Sequence, residues 1–247
     1  MEKYIKLDNS EIWTIINDNI DIKKPFLCLC GGGPGIGDSL LPIDNLIKSN
    51  FNIIRFEQRG CGRSSKDGNY DIETLISDLE EIRKFYHIDK WYIGGHSWGA
   101  GIALFYGLKY QLVCSGVIYI SGMGIQNDND WAEEFKRNSE LLTEPEFTLP
   151  QGMEINFDVL NMGLRSYNVY IKQPTLFKEI SEFQIPVLIL CGKKDIRPIW
   201  PSIQLAHLLP KSQLEIFENS NHFSWEQDPI KFVETISNWL TDYSKLA

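Results

Sequence analysis

A serine between two glycines is the feature of this sequence that most directly indicates chemistry. Ser97 stands at the centre of Gly-His-Ser-Trp-Gly at 95–99, which follows an apolar run at 91–93 and precedes a helical stretch at 100–110. Strand, sharp turn and helix in this order are typical of a nucleophile elbow, in which the turn holds a serine hydroxyl above the end of a sheet. The flanking glycines supply the small side chains that such a turn requires. We therefore predict that Ser97 is a nucleophile.

Two further side chains of suitable type follow other predicted strands. Asp195 stands shortly after an apolar run at 187–191, and His222 stands shortly after a strand predicted at 213–217. Parallel strands present their carboxyl ends at one edge of a sheet, so side chains from distant parts of the chain meet there. The order Ser97, Asp195, His222 predicts a catalytic triad in which His222 is the general base and Asp195 orients it.

A serine nucleophile that attacks a carbonyl also needs N–H donors for the resulting oxyanion. The backbone N–H of Trp98, at the start of the predicted helix, is one candidate. The second is expected in the glycine-rich loop at 31–35, because glycine lets the backbone approach the reacting group closely. Gly33 is our prediction for this donor, and Gly32 is the alternative.

Other titratable residues near predicted strand ends are weaker candidates. Asp128 and Asp130 follow a strand and are alternative triad acids, but they stand further beyond its end than Asp195 does. His96 directly precedes the serine, and successive side chains of a strand point to opposite faces. We therefore expect His96 to point away from Ser97 and to have a structural role.

The sequence contains no pattern that indicates a metal site or a nucleotide cofactor. The His, Cys, Asp and Glu residues do not have the spacing of metal ligands, and no Gly-x-Gly-x-x-Gly opens a helix after a strand. We expect the chemistry to need neither a metal nor a cofactor.

Composition narrows the classes of partner. The 247 residues carry a formal net charge of −9, which disfavours nucleic acids and anionic membrane surfaces as partners. No apolar run approaches the roughly 20 residues that span a bilayer, and no apolar signal core follows Met1. The five cysteines show no redox or disulfide pattern, and we expect buried, reduced thiols, with Cys61 more exposed because it lies in a loop. A cytoplasmic protein that acts on a small molecule or a short peptide is expected.

The candidate residues lie in a regular alternation of strands and helices. Strands are predicted at 4–7, 11–16, 26–30, 51–56, 91–93, 116–121, 186–191 and 213–217, and helices at 40–48, 72–86, 100–110, 200–209 and 229–241. Asp71 is the predicted N-cap of the second helix. This alternation is typical of an α/β protein with a mostly parallel central sheet and helices on both faces.

The chain resembles the α/β-hydrolase superfamily over nearly its whole length. Three segments are similar to those of proline iminopeptidases: Gly-Gly-Pro-Gly at 32–35, Glu-Gln-Arg-Gly-Cys-Gly-Arg-Ser at 57–64 and Ser-Trp-Gly at 97–99. The resemblance implies an α/β-hydrolase fold and the removal of an N-terminal residue from peptides. The Trp-x-x-Trp-Glu segment that supplies an amine-binding carboxylate in that family does not occur in this sequence.

A long insertion separates the predicted strands at 116–121 and 186–191. We predict that residues 1–121 and 186–247 form the hydrolase core and that residues 122–185 form a helical cap over the site. The insertion carries eleven acidic and five basic residues, a net charge of −6. An acidic cap would attract a cationic amine, whereas charged residues on helices more often form a solvated face.

The sequence therefore predicts a serine hydrolase that cleaves a small ester or amide through an acyl-enzyme, with proline-iminopeptidase-like cleavage as its most specific form. A carboxylesterase or lactonase would use the same groups. A protein of another class, a ligand sensor that turns its ligand over slowly, is a further alternative. The sequence does not indicate the oligomeric state.

Overall fold

The candidate residues lie along one edge of a central sheet. The structure, a computed structural model, describes residues 1–7, 10–66, 68–126, 129–142 and 153–244. Within these ranges eight strands pair into one sheet, in the order β1-β2-β4-β3-β5-β6-β7-β8. In chain order the strands are β1 (Glu2–Leu7), β2 (Ser10–Ile16), β3 (Phe26–Cys30), β4 (Asn52–Phe56), β5 (Trp91–His96), β6 (Cys114–Ile120), β7 (Val187–Gly192) and β8 (Ser212–Phe217).

Strand direction places the candidate residues at the same edge of the sheet. β1 and β2 form an antiparallel hairpin, and β2 also pairs antiparallel with β4. From β4 to β8 all neighbouring strands are parallel. The carboxyl ends of β3, β5, β7 and β8 therefore lie on one side, where the glycine-rich loop, Ser97, Asp195 and His222 follow them in that order. The predicted α/β architecture with a mostly parallel sheet is confirmed.

Helices connect the strands. They are α1 (Leu41–Ile47), α2 (Ile72–Phe85), α3 (Trp98–Lys109), α4 (Asn129–Leu141), α5 (Phe157–Tyr170), α6 (Leu176–Glu182), α7 (Trp200–Leu208), α8 (Ser224–Gln227) and α9 (Pro229–Ser244). The predicted N-cap is confirmed, because the Asp71 carboxylate accepts a 2.8 Å hydrogen bond from the N–H of Thr74. The sequence patterns do not predict α6 and α8 as separate helices. No helix in the described ranges is both long and apolar enough to cross a bilayer.

Apolar side chains cover both faces of the sheet. On one face, α2, α3 and α7 contribute residues such as Leu79, Leu104 and Leu205, all fully buried. On the other face, α1 and α9 contribute residues such as Ile43 and Trp239. A parallel sheet of this kind has its strands buried on both sides, which explains why β3, β5 and β7 read as continuous apolar runs.

The segment between β6 and β7 contains α4, α5 and α6. In α5, large apolar residues recur at helical spacing at 157, 160, 164, 167 and 171. The residues buried within the helix are Val159, Gly163, Tyr167 and Tyr170, whereas Phe157 is 64% exposed. The apolar period of α5 is ambiguous because large apolar residues occur around much of the helix. Packing against the core selected one face.

All five cysteines are buried and free, including Cys61, which we expected to be more exposed. Cys61 is only 1% exposed. Burial raises the pKa of the Cys61 thiol to about 11. Since the thiolate is the reactive form, this residue is unsuited to nucleophilic chemistry.

A buried cation holds the segment that follows the glycine-rich loop. The guanidinium of Arg55, on β4, contacts the carboxylate of Asp38, and its Nε donates a 2.8 Å hydrogen bond to Asp44 Oδ2 at the start of α1. The side chains of Arg55 and Asp38 are each only 7% exposed. One arginine therefore compensates two acidic side chains in a region with little access to water.

Removing this cation should destabilise the fold strongly. We expect Arg55→Met to lower the free energy of unfolding by about 3–5 kcal/mol, because two carboxylates would be left without their buried partner. Urea denaturation followed by circular dichroism measures the loss.

The matched control is Arg137→Met on α4, where the side chain is 66% exposed and lies 3.8 Å from Glu134. It should change the unfolding free energy by less than about 1 kcal/mol. Equal losses in the two variants would contradict a structural role for the Arg55 cluster.

Candidate active site

Ser97 occupies a sharp turn between β5 and α3. Its backbone has φ 56° and ψ −120°, in a region that non-glycine residues rarely adopt. The N–H of Ser97 donates a 2.8 Å hydrogen bond to the carbonyl of Ile120 on the neighbouring strand, which helps to hold this conformation. The backbone strain is of the kind found at functional turns, and it directs the serine away from the sheet.

Two glycines make this turn possible. A methyl group at Gly95 would lie 2.0 Å from the carbonyl oxygen of Gly99, and one at Gly99 would lie 2.3 Å from the carbonyl oxygens of Cys30 and Gly31. Real Cβ atoms do not approach backbone oxygens this closely. The strand, the turn and the helix therefore pack together only when both positions lack a side chain.

Asp195 and His222 meet at the ends of β7 and β8. His222 Nδ1 lies 2.5 Å from Asp195 Oδ2, and both side chains are almost completely buried. The two loops are joined by a 3.0 Å hydrogen bond from the N–H of Lys193 to the carbonyl of Phe217. Residues 27 positions apart in the chain are thus brought into direct contact.

Hydrogen bonding keeps the Asp195 carboxylate ionised. Burial by itself raises the pKa of this carboxyl, but hydrogen bonds from His222 and Arg197 and the charge of Arg197 outweigh it and hold the pKa below its ordinary value. An ionised carboxylate only accepts hydrogen bonds, so Nδ1 of His222 carries the proton between them. In a neutral imidazole the other nitrogen, Nε2, is then an acceptor.

Ser97 and His222 border the same cavity, which has a volume of about 180 Å³. The other lining residues come from the glycine-rich loop and from the loops after β5, β7 and β8: Gly32, Gly33, Ile36, Ser39, His96, Arg197 and Phe223. The structure therefore brings the predicted nucleophile and the predicted base to one cavity, with the Asp195 carboxylate directly behind the base.

The glycine-rich loop lies against the serine. A methyl group at Gly32 would be 3.2 Å from Ser97 Cβ, and Gly33, whose φ is +64°, lines the same cavity. Trp98 follows the serine as the first residue of α3. The positions of Gly33 and Trp98 are compatible with the predicted oxyanion donors, and Gly32 also lies close to the nucleophile. The identity of the loop donor stays a prediction.

His96 belongs to the site more closely than its position in the strand suggested. Its ring packs on that of His222 with centroids 4.5 Å apart, and its Nε2 donates to the His222 carbonyl at 3.2 Å. Burial, followed by the proximity of His222 and Arg197, lowers the pKa of His96 well below its ordinary value. A neutral His96 therefore supports the backbone of His222.

Arg197 is a residue of the site that sequence reasoning missed. It stands two residues after Asp195, its side chain is 29% exposed, and it lines the cavity together with Ser97 and His222. Its N–H and its Nη1 both donate to Asp195 Oδ1, at 2.9 and 3.2 Å. The only signal in the sequence was the Asp-x-Arg spacing, which is too common to single out a residue.

The segment between β6 and β7 contacts the site through the start of α5. The N–H of Asn156 donates to the Gly35 carbonyl, and its side-chain Nδ2 donates to the Gly60 carbonyl, both at 2.9 Å. One asparagine thus ties α5 to the glycine-rich loop and to the loop after β4. That residues 122–185 form a cap over the site stays a prediction.

The alternative triad acids lie elsewhere. Asp128 is outside the described residues, and Asp130, in α4, borders a different cavity with Ile125 and Lys172. A larger cavity of about 360 Å³ lies between residues 60–66 and 153–158, but its lining does not include Ser97 or His222. In the part of the chain that the structure describes, no group of three or more His, Cys, Asp or Glu side chains could hold a metal ion.

Comparisons with known proteins agree with this architecture. A family model described as "alpha/beta hydrolase fold" matches residues 25–172. A proline iminopeptidase of Saccharolobus solfataricus is 28% identical, over 88% of this chain and 84% of that protein. A proline iminopeptidase of Clostridioides difficile is 23% identical, over 92% and 93%. Among solved structures, the enol-lactonase from Burkholderia xenovorans LB400 aligns with a TM-score of 0.75 at 16% identity, covering 97% of this chain and all of that one.

The close packing at Gly99 can be tested by substituting this glycine and, as a control, a nearby glycine that has free space around it. We expect Gly99→Ala to lower the free energy of unfolding by about 3 kcal/mol and to reduce labelling of Ser97 by a fluorophosphonate probe, because the new methyl group overlaps two carbonyl oxygens. Thermal denaturation and gel-based probe labelling measure the two effects.

Gly31→Ala is the control, since a methyl group at Gly31 meets no atom within 4 Å. This variant should keep the stability and the labelling of the wild type. Wild-type behaviour of Gly99→Ala would show that the turn is not confined as described.

Proposed function

The chain belongs to the alpha/beta hydrolase fold family, and we propose that it is a serine hydrolase that cleaves a small ester or amide through an acyl-enzyme. The observation that carries the proposal is the 2.5 Å contact of His222 Nδ1 with Asp195 Oδ2 beside a cavity that Ser97 shares. No other serine of the described chain has both a positive φ and a place in the wall of the cavity that His222 lines.

The proposed reaction begins with removal of the Ser97 proton. Nε2 of His222 accepts the hydroxyl proton as the oxygen attacks the substrate carbonyl, and Asp195 stabilises the imidazolium that forms. Collapse of the tetrahedral intermediate expels the alcohol or amine, which takes the proton from Nε2. Water then attacks the acyl-enzyme with His222 again as base, which releases the acid and restores the serine.

The oxyanion of each tetrahedral intermediate would be held by backbone N–H groups. In our proposal these are the N–H of Trp98, at the start of α3, and that of Gly33 in the glycine-rich loop. Such donors are already oriented before the reaction, so they stabilise the developing charge without reorganisation.

The finer proposal is proline-iminopeptidase-like removal of an N-terminal residue from a peptide. It rests on the two relatives described above, which match most of this chain, and on the segments at 32–35, 57–64 and 97–99 that resemble that family. The cavity volume of about 180 Å³ is compatible with a single small acyl group such as a prolyl group. Residues 122–185 would form a cap over the core made by residues 1–121 and 186–247.

A second candidate, hydrolysis of a small carboxylic ester or lactone, is favoured by the charge of the cavity wall. Among the described lining residues the charged side chain is the guanidinium of Arg197, and none is a carboxylate. A free amino terminus is cationic and is usually recognised by a carboxylate. A neutral acyl group makes no such demand.

We also infer that the protein acts in a reducing compartment, as expected for the cytoplasm. All five cysteines are free, although Cys28 and Cys30 lie close together on β3. Disulfides are rare in such compartments.

The nucleophile is tested with an active-site probe. We expect a fluorophosphonate to label the wild type and not Ser97→Ala, because the probe forms a bond to an activated serine oxygen. Mass spectrometry of the labelled peptide identifies the site. Labelling that persists in Ser97→Ala would remove the proposed nucleophile.

The role of the carboxylate is tested with Asp195→Asn. An amide in place of the carboxylate favours the wrong histidine tautomer, so kcat should fall by about 10³–10⁴-fold with little change in folding. Steady-state kinetics on an ester and thermal denaturation measure these quantities. An activity within tenfold of the wild type would contradict the proposed triad.

Substrate class is decided by comparing three chromogenic substrates. A prolyl arylamide, its N-acetylated form and p-nitrophenyl acetate present a cationic amine, a neutral amide and a neutral ester. Preference for the free prolyl arylamide supports the peptidase, and preference for the ester supports the second candidate. Slow turnover of every substrate, together with a large increase in Tm on binding one ligand, would favour a ligand sensor instead.

A further inference from the structure

The two oxygens of the Asp195 carboxylate have different partners. Oδ2 accepts from His222 Nδ1 at 2.5 Å. Oδ1 accepts from the N–H of Arg197 at 2.9 Å and from its Nη1 at 3.2 Å. Rotation of the carboxylate would break contacts on both sides at once, so these three donors hold it in one orientation.

Both hydrogen bonds to Oδ1 come from Arg197, which stands two residues after Asp195. A backbone N–H two residues after an aspartate commonly bonds to its side chain, and here the guanidinium of the same residue reinforces that bond. The Asp195 side chain is only 4% exposed, so water has little opportunity to replace a lost donor on Oδ1.

We propose that Arg197 is a positioning residue of the triad, acting through Asp195: it holds Oδ1 so that Oδ2 is presented to His222. The inference rests on the proposed serine hydrolase activity. It concerns a residue with no role in the reaction derived above.

Without the guanidinium, Oδ1 of Asp195 keeps only the backbone N–H of residue 197 as its donor among the described residues, so the carboxylate is held less firmly against His222. Misorientation of the carboxylate should lower kcat by about ten- to hundredfold.

The test compares Arg197→Gln, Arg197→Lys and Lys194→Gln on p-nitrophenyl acetate, a neutral substrate. Arg197→Gln should show the lower kcat and an almost unchanged KM. Arg197→Lys retains the charge but lacks the planar fork, so kcat should recover only in part. Lys194→Gln removes a cation of the same loop that is exposed and contacts Asn219 at 3.3 Å, and it should behave as the wild type.

A double-mutant cycle with Asp195→Asn separates action through Asp195 from direct contact with substrate. If Arg197 acts through the carboxylate, Arg197→Gln should cost less than twofold further in the Asp195→Asn background. A full additional loss in that background, or an effect confined to KM, would overturn the proposal. So would a wild-type kcat in Arg197→Gln.

Failure of this inference is distinguishable from failure of the proposed function. Probe labelling that depends on Ser97 while Arg197→Gln behaves as the wild type would reject only the role of Arg197. Labelling that persists in Ser97→Ala would reject the triad, and the role of Arg197 with it. Arg197→Lys, which preserves the charge, keeps the comparison valid if Arg197→Gln folds poorly.

Discussion

The backbone of Ser97, held at φ 56° between two glycines, is the constraint on which the rest of the site depends. Strand β5 and helix α3 approach so closely there that a methyl group on either glycine would overlap a carbonyl oxygen. The cost of this conformation is compensated by the packing of α3, whose residues are buried along nearly its whole length. A rigid, buried helix thus maintains a strained turn at the edge of the sheet, and the serine is directed to the cavity before any substrate binds.

Around this turn, the parallel sheet brings together the other groups of the site, which are far apart in the chain. The loops after β3, β7 and β8 reach the same edge, so a glycine-rich backbone, a carboxylate and an imidazole from three parts of the chain surround one small cavity. Their positions are secured by buried polar contacts. His96 supports the carbonyl of His222, Arg197 occupies one oxygen of Asp195, and Arg55 holds Asp38 beyond the glycine-rich loop. His96 and Arg55 are buried with their partners, and Arg197 is partly buried beside Asp195, since an unpaired charge at this depth would be strongly destabilising.

The peptidase and the esterase proposals share one chemical step and differ in how the substrate would be recognised. The proposed chemical step, attack by an activated serine, is common to both and depends on groups of the sheet edge. Recognition of the substrate depends on charge near the acyl group, where the described cavity wall contributes a guanidinium and neutral side chains.

Local patterns in the sequence were sufficient to predict the order of strands and helices, the N-cap at Asp71 and the candidate residues Ser97, Asp195 and His222, because strand ends, turns and apolar periods are properties of short segments. They did not reveal the buried state of Cys61, the face of α5 that packs inward or the contact of Arg197 with Asp195. Those features arise where segments distant in the chain meet, and short-range periodicity carries no information about which neighbours a side chain will have. The types of the reacting groups were thus determined by the sequence alone, whereas their partners, their burial and their protonation were decided only by the tertiary structure, since hydrogen bonding and desolvation depend on the folded surroundings.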